Sequence, residues 1–172
     1  LVTSYYADGV VIHDISDPEN MVEVASYDTY PVTSTSTEGC WGAYPYLSLG
    51  PLLVTDIENG LFVLDANYQY AAKLEGTVTD ELTGDQLQGV EVEIVGHDQI
   101  EITDLQGAYK TGIGATNTYD ITYTKYGYEQ KTITETLTMG DTLIANVELT
   151  PLPPFNLTIN VNDEAGLPIT NA

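Results

Sequence analysis

Between Leu74 and Leu149 apolar and polar residues alternate, and glycines cut the pattern at short intervals. Val90, Val92 and Ile94 fall on one side of an extended chain while Glu91 and Glu93 fall on the other, the period of a half-buried strand. Tyr119, Ile121 and Tyr123 repeat that period, as do Leu74, Gly76 and Val78. Strands are expected over 73–79, 90–94, 100–103, 109–113, 119–123, 130–138 and 143–149, with turns at 80–86, 96–98, 104–107 and 126–128. About seven short strands in so little chain predict one seven-stranded antiparallel β-sandwich.

The residues before it carry a different rhythm. Gly9 is followed by Val10-Val-Ile-His-Asp14, and Gly60 by Leu61-Phe-Val-Leu-Asp65. Leu1-Val-Thr-Ser-Tyr-Tyr6 precedes the first and Leu52-Leu-Val-Thr-Asp56 the second. The two glycines stand about 50 residues apart, a period that signals propellers or arrays. Asp8-Gly9 and Asn59-Gly60 between apolar runs are strong hairpin signals. Ile15-Ser-Asp-Pro18 reads as a turn and Met21–Tyr27 as a further strand. Strand, glycine turn, strand, proline turn, strand is the order expected of a propeller blade, but residues 1–70 hold too few strands to close a ring of at least about four blades.

After the sandwich, Pro151-Leu-Pro-Pro154 reads as a stiff extended linker. Phe155, Leu157, Ile159 and Val161 alternate beyond it, and Asn162–Ile169 parallels the turn after Val78. Residues 151–172 are therefore expected to be the linker and first strand of a second, similar module. Three regions result: 1–70, 71–150 and 151–172. The opening residues read as the middle of a strand, so the chain is expected to be a fragment of a longer protein.

Thirteen tyrosines suit strands, and helix-forming runs are missing, so an all-β fold is expected with almost no helix. Lysine plus arginine number 4 against 26 acidic residues, a net charge of -22. Such a surface cannot neutralise phosphates, which argues against nucleic acid and anionic membranes. No apolar run is long enough to span a bilayer, so no membrane insertion is expected of these residues. Cys40 is the only cysteine, which leaves no internal disulfide and no cysteine-based metal site.

Candidate chemistry is sparse. Asp80, Glu81 and Asp85 cluster in one turn and Asp104 sits in another, so these are the carboxylates to weigh for calcium. Calcium takes six to eight oxygens, and no Asp-x-Asp-x-Asp-Gly loop occurs. No metal site and no cofactor are expected. Asp14, Asp56 and Asp65, at the ends of apolar runs, read as turn formers bonding to nearby backbone N–H groups. Trp41, Tyr44 and Tyr46 suit either blade packing or a sugar-stacking platform. Asp141-Thr142-Leu143 fits a short O-glycosylation pattern at Thr142, and Asn156-Leu-Thr158 an N-glycosylation sequon. With only His13 and His97, and no Ser-His-Asp, His-Glu-x-x-His or phosphate-loop motif, no catalytic residue is expected.

Gly76, Val78, Asp80, Gly89-Val90, Val92, Thr103-Asp104, Gly107, Tyr109, Gly127-Tyr128 and Leu149 stand in order. They resemble the carboxypeptidase regulatory-like (transthyretin-like) domain, a prealbumin-like sandwich. That resemblance implies a non-catalytic accessory module, with Gly107 serving a tight hairpin and Tyr109 and Tyr119 filling the core. Gly9-Val-Val-Ile-His-Asp14-Ile-Ser-Asp17-Pro18, with Gly39-Cys-Trp-Gly42 and the run to Asp65, resembles the terminal blades of bacterial surface β-propellers of the choice-of-anchor B type, whose repeats carry a Leu-Val-Ile-Val-Asp signature. His13 departs from that pattern by replacing an apolar residue.

The expected function is a structural or adhesive part of a secreted or cell-surface bacterial protein. It would space and display modules and bind protein or glycan weakly, with neighbouring domains of the same longer chain as its first partners. Two other classes fit the same residues: accessory domains of a secreted, peptidase-like enzyme whose catalytic domain lies elsewhere, and a calcium-dependent adhesion or strand-exchange filament subunit.

Overall fold

The computed structural model describes residues 1–32, 37–48, 50–97, 99–154, 164, 165 and 167. Every regular element among them is a β-strand. Among the described residues no helix is long and apolar enough to cross a membrane, which says nothing of strands. The expected strand over 155–161 lies outside the described residues, as do most of those in the turn after it.

β1 (Val2–Ser4), β2 (Val10–Asp14) and β3 (Val22–Tyr27) form an antiparallel sheet in that order. β4 (Cys40–Tyr44), β5 (Leu52–Asp56) and β6 (Gly60–Leu64) form a second. The internal repeat is visible in the pairing, since the β1–β2 hairpin corresponds to β5–β6. Gly9 and Gly60 close these hairpins at φ 78° and 83°, where a side chain is strained. The extra strand lies on opposite sides: β3 covers the outer edge of β2, whereas β4 covers β5 and leaves β6 at the rim. Val10, Ile12, Cys40, Leu52 and Val54 form a small core between the sheets.

Eight strands follow. β7 (Ala72–Asp80), β8 (Glu91–Ile94), β9 (Ile100–Ile102), β10 (Ala108–Ile113), β11 (Asn117–Thr124), β12 (Lys131–Leu137), β13 (Thr142–Ile144) and β14 (Val147–Leu149) make two facing sheets. One is β10-β7-β13 with β14 also on β7; the other is β12-β11-β8-β9. The alternating residues meet between them, and Leu74, Val78, Val90, Val92, Ile121, Tyr123, Leu137 and Leu149 are all buried. Each such aliphatic or aromatic side chain stabilises by roughly 1.5–3 kcal/mol. Thr103 ends the short β9 region from inside the core: its hydroxyl donates to the Leu87 carbonyl at 2.6 Å and accepts from Val90 N–H at 2.9 Å.

The expected seven-stranded antiparallel sandwich needs correcting at its last strand. Residues 143–149 are two short strands, and both run parallel to β7. The cause is the preceding turn. Gly140 N–H donates to the Ala71 carbonyl and Lys73 N–H to the Asp141 carbonyl. The chain therefore crosses between sheets beside the start of β7 and then runs along it. The break falls at Ala145-Asn146, where the Asn146 side-chain oxygen accepts from both the backbone N–H and the hydroxyl of Thr77 at 3.0 Å. The Ala145 carbonyl folds over Gly76 so closely that a Cβ there would stand 1.9 Å from its oxygen. Tyr109 OH donates to that oxygen at 2.8 Å and lies 2.8 Å from Tyr123 OH. A tyrosine has one proton to give, so Tyr123 donates to Tyr109.

Candidate functional site: the joint between the first sheets and the sandwich

The turn between β2 and β3 plugs into the β7–β10 face of the sandwich, where 1–70 meets 71–150. It begins at Asp14, whose two carboxylate oxygens accept from Ser16 N–H and, across the joint, from Ala71 N–H, each at 2.9 Å. Burial pushes the Asp14 pKa up, but the Ser16 and Ala71 N–H groups, the Ser16 hydroxyl and the Lys73 charge together hold it below the ordinary carboxylate value. Lys73 Nζ donates to Ser16 Oγ at 2.9 Å and stands 3.9 Å from Asp14. At the far side of the turn, the buried Asn20 amide donates to the Thr111 carbonyl at 3.0 Å. Lys110 reaches over the rim to Asp17 at 3.0 Å and Glu19 at 3.1 Å.

Close backbone approach completes the joint. A Cβ on Gly112 would meet Val22 Cγ2 and the Ala72 carbonyl oxygen at 2.8 Å; one on Gly114 would meet Val24 Cα at 2.7 Å. Glycine inside a strand marks such an approach. The order of importance follows from exposure. The Lys110 pairs are half in solvent, and exposed ion pairs contribute about 0–1 kcal/mol. The buried Asn20 and Asp14 bonds matter more, because removing one partner strands a desolvated group at about 1–3 kcal/mol.

The calcium candidates accept hydrogen bonds from their own turns and from Tyr128 and Thr150. Asp80 Oδ1 accepts from Leu82 and Thr83 N–H, and Oδ2 from Tyr128 OH at 2.9 Å. The Thr83 N–H and Tyr128 hydroxyl hold its pKa below the ordinary value. Asp85 accepts from Thr83 Oγ1, and Glu81 from Thr150 Oγ1. Asp104 caps the separate turn before β10, accepting from Gln106 and Ala108 N–H at 2.8 Å. Among the described residues no group of three or more His, Cys, Asp or Glu side chains stands placed to hold a metal ion.

The other candidates are dispersed. Asp56 accepts from Glu58 and Asn59 N–H and from the Thr29 hydroxyl, a turn cap like that at Asp14; Asp65 is exposed. Thr142 is exposed at the start of β13, and the Asn156 sequon lies outside the described residues. His13 lies in β2 opposite Glu23, and His97 stacks edge-on to Tyr119. Trp41, Tyr44 and Tyr46 are all exposed but form two pairs, Tyr6–Trp41 and Tyr44–Tyr46. Trp41 is the extra residue of a bulge in β4, which turns its ring to solvent. Cys40 is buried, and burial pushes its thiol pKa up.

The short connection 67–73 implies that the two regions are close neighbours, but it does not show which residues meet. Two signals were present: glycines at 112 and 114 in an otherwise strand-like stretch, and lysines at 73 and 110 among the 4 cations of the chain.

Residues 73–150 match the family model of the carboxypeptidase regulatory-like domain. No curated protein matches the chain. Among solved structures, GBS52, the minor pilin of Streptococcus agalactiae, is 15% identical with a TM-score of 0.41, over 67% of this chain and 66% of that one. BcpA, the major pilin subunit of Bacillus cereus, is 16% identical with a TM-score of 0.39, over 59% and 37%. A type II cohesin–X-dockerin complex from Acetivibrio cellulolyticus is 22% identical with a TM-score of 0.38, over 44% and 52%. The chain thus spans just under two thirds of GBS52 and about half of the cohesin–X-dockerin chain.

Proposed function

We propose that this chain is a non-catalytic structural segment of a secreted or cell-surface multi-domain protein, in which the sandwich spaces and orients the modules on either side. One observation carries the reading. Because β13 and β14 run parallel to β7, the chain joins the sandwich at Ala71 and leaves it beside Asp80, at the other end of the same strand. An antiparallel last strand would return the chain to the pole where it began. Nine residues of β7 put these points about 30 Å apart, at roughly 3.3 Å per residue. The joint at Asp14, Asn20 and Gly112 fixes the direction of the first sheets against this axis.

In this reading the two preceding sheets are repeats of a propeller-type array, and the exposed aromatic pairs on β4 are a surface for weak recognition of protein or glycan. The test is a distance measurement. Spin labels at Tyr46→Cys and Leu82→Cys, both exposed, in a Cys40→Ala background report the geometry across the joint. A single narrow distance, unchanged by calcium or chelator, is expected. A broad distribution would show a flexible tether and sink the spacer reading; a calcium-dependent distance would favour calcium-dependent adhesion.

A further inference from the structure

A sheet edge attracts other strands unless something blunts it. Most edges here are blunted. The β12 edge carries Lys131 and Glu135, β9 carries Glu101, and β10 carries Lys110. β13 and β14 are short and interrupted at Ala145-Asn146. Just past β1, Tyr6 bridges Cys40 of β4, and β3 lies against Gly114 of the sandwich.

β6 has none of these devices. It reads Gly60-Leu-Phe-Val-Leu64, with no charge, proline or bulge, and no described strand pairs with its outer side. Leu61 and Val63 are 62% and 63% exposed, although their repeat counterparts, Val10 and Ile12, are buried. On the opposite face, Phe62 and Leu64 pack toward the small core. An open groove of about 450 Å³ runs there between Val24 and Tyr27 of β3 and Leu64 and Ala66.

The repeat shows what belongs on this edge. In the first sheet, the strand equivalent to β6 is β2, and its outer edge is filled by β3 running antiparallel. We propose that β6 accepts one further antiparallel strand from a partner polypeptide, an uncharged or basic segment with apolar residues at alternate positions. Its backbone completes the edge, and one set of its side chains enters the groove beside Leu64. A second copy of this chain fits worse. Two β6 strands paired across a two-fold axis bring Glu58 of one copy toward Asp65 of the other, and each copy carries a net charge of -22.

The probe is a seven-residue peptide of residues 21–27, which contain β3, carrying Glu23→Gln so that its side chains are uncharged, labelled with fluorescein, titrated into the intact chain and followed by anisotropy. Saturable binding is expected, weakened at least tenfold by Val63→Lys, with Leu61→Lys as the second variant should the first fail to fold. Ile102→Lys, at the charged β9 edge, is expected to leave the affinity unchanged. Absence of saturable binding, or binding that both β6 variants retain, overturns the proposal. Sedimentation showing a dimer that Val63→Lys dissociates would assign the edge to a second copy and also overturn it.

Discussion

β6 and β7 are consecutive strands, both rich in apolar residues, and their fates differ. β7 has β10 on one edge, β13 and β14 on the other, and a facing sheet over Leu74 and Val78. Among the described residues β6 pairs with β5 alone, and Leu61 and Val63 are exposed. The difference lies in neighbours rather than composition. A strand buries its side chains only where other strands close around it, and among the described residues the sandwich core holds thirteen buried residues while the first two sheets share five. The sandwich is thus the expected stable unit, with the first sheets dependent on docking to it.

That contrast fails most visibly if the crossing of β7 and the last strand is blocked. Gly76→Val sets a side chain against the Ala145 carbonyl and is expected to destabilise by about 3 kcal/mol or more, lowering the denaturant midpoint of the whole chain. Tyr109→Phe keeps the ring and removes the hydroxyl between Tyr123 and Ala145. It should cost about 1–3 kcal/mol by leaving the carbonyl unpaired, and more than Tyr123→Phe, which removes only the outer bond. Both act inside the sandwich, so both lower the thermal transition of the whole chain.

Asn20→Ala addresses the joint. A loss of about 1–2 kcal/mol is expected there, appearing as a separate early transition for the first sheets while the sandwich transition stays in place. If one cooperative transition persists, the two regions are a single folding unit and the contrast is wrong. Acid probes the same joint. Asp14 has a folded pKa below its ordinary 3.8, so its stabilisation is present above that value and is lost as pH falls through the folded pKa. Below about pH 4 the first sheets should loosen, and Asp14→Asn should flatten that acid limb of a thermal-melt series. Lys110→Ala removes only rim ion pairs and is expected to give the smallest change, one that shrinks further in high salt.

The strand pattern was legible because period-two alternation is local. Val90, Val92 and Ile94 declare their face without reference to anything distant, and the hairpin glycines Gly9 and Gly60 declare their turns. The repeat was legible for the same reason. The joint was not, because Asn20 and Thr111 are far apart in the chain, and nothing near Asn20 says that its amide will meet a carbonyl of the sandwich. The acidic cluster at Asp80, Glu81 and Asp85 is the converse case. Proximity in sequence marked these carboxylates as ones to weigh together, with no metal site expected; which groups they accept from, the Leu82 and Thr83 N–H groups and the Tyr128 and Thr150 hydroxyls among them, is visible only in the structure.

By itself the sequence determined an all-β chain, its turns, its net negative charge and which side chains of β7, β8 and β11 face inward. These follow from backbone stereochemistry and from the cost of leaving apolar area in water, both of which act residue by residue. Only the tertiary structure decided that the last strand runs parallel to the first, that Gly76 must lie beneath the Ala145 carbonyl, and that the β2–β3 turn is seated on Gly112 and Gly114. An alternating strand presents the same faces whichever way it runs. Its direction is set by where the preceding turn delivers it, and here Gly140 and Asp141 deliver it beside the start of β7.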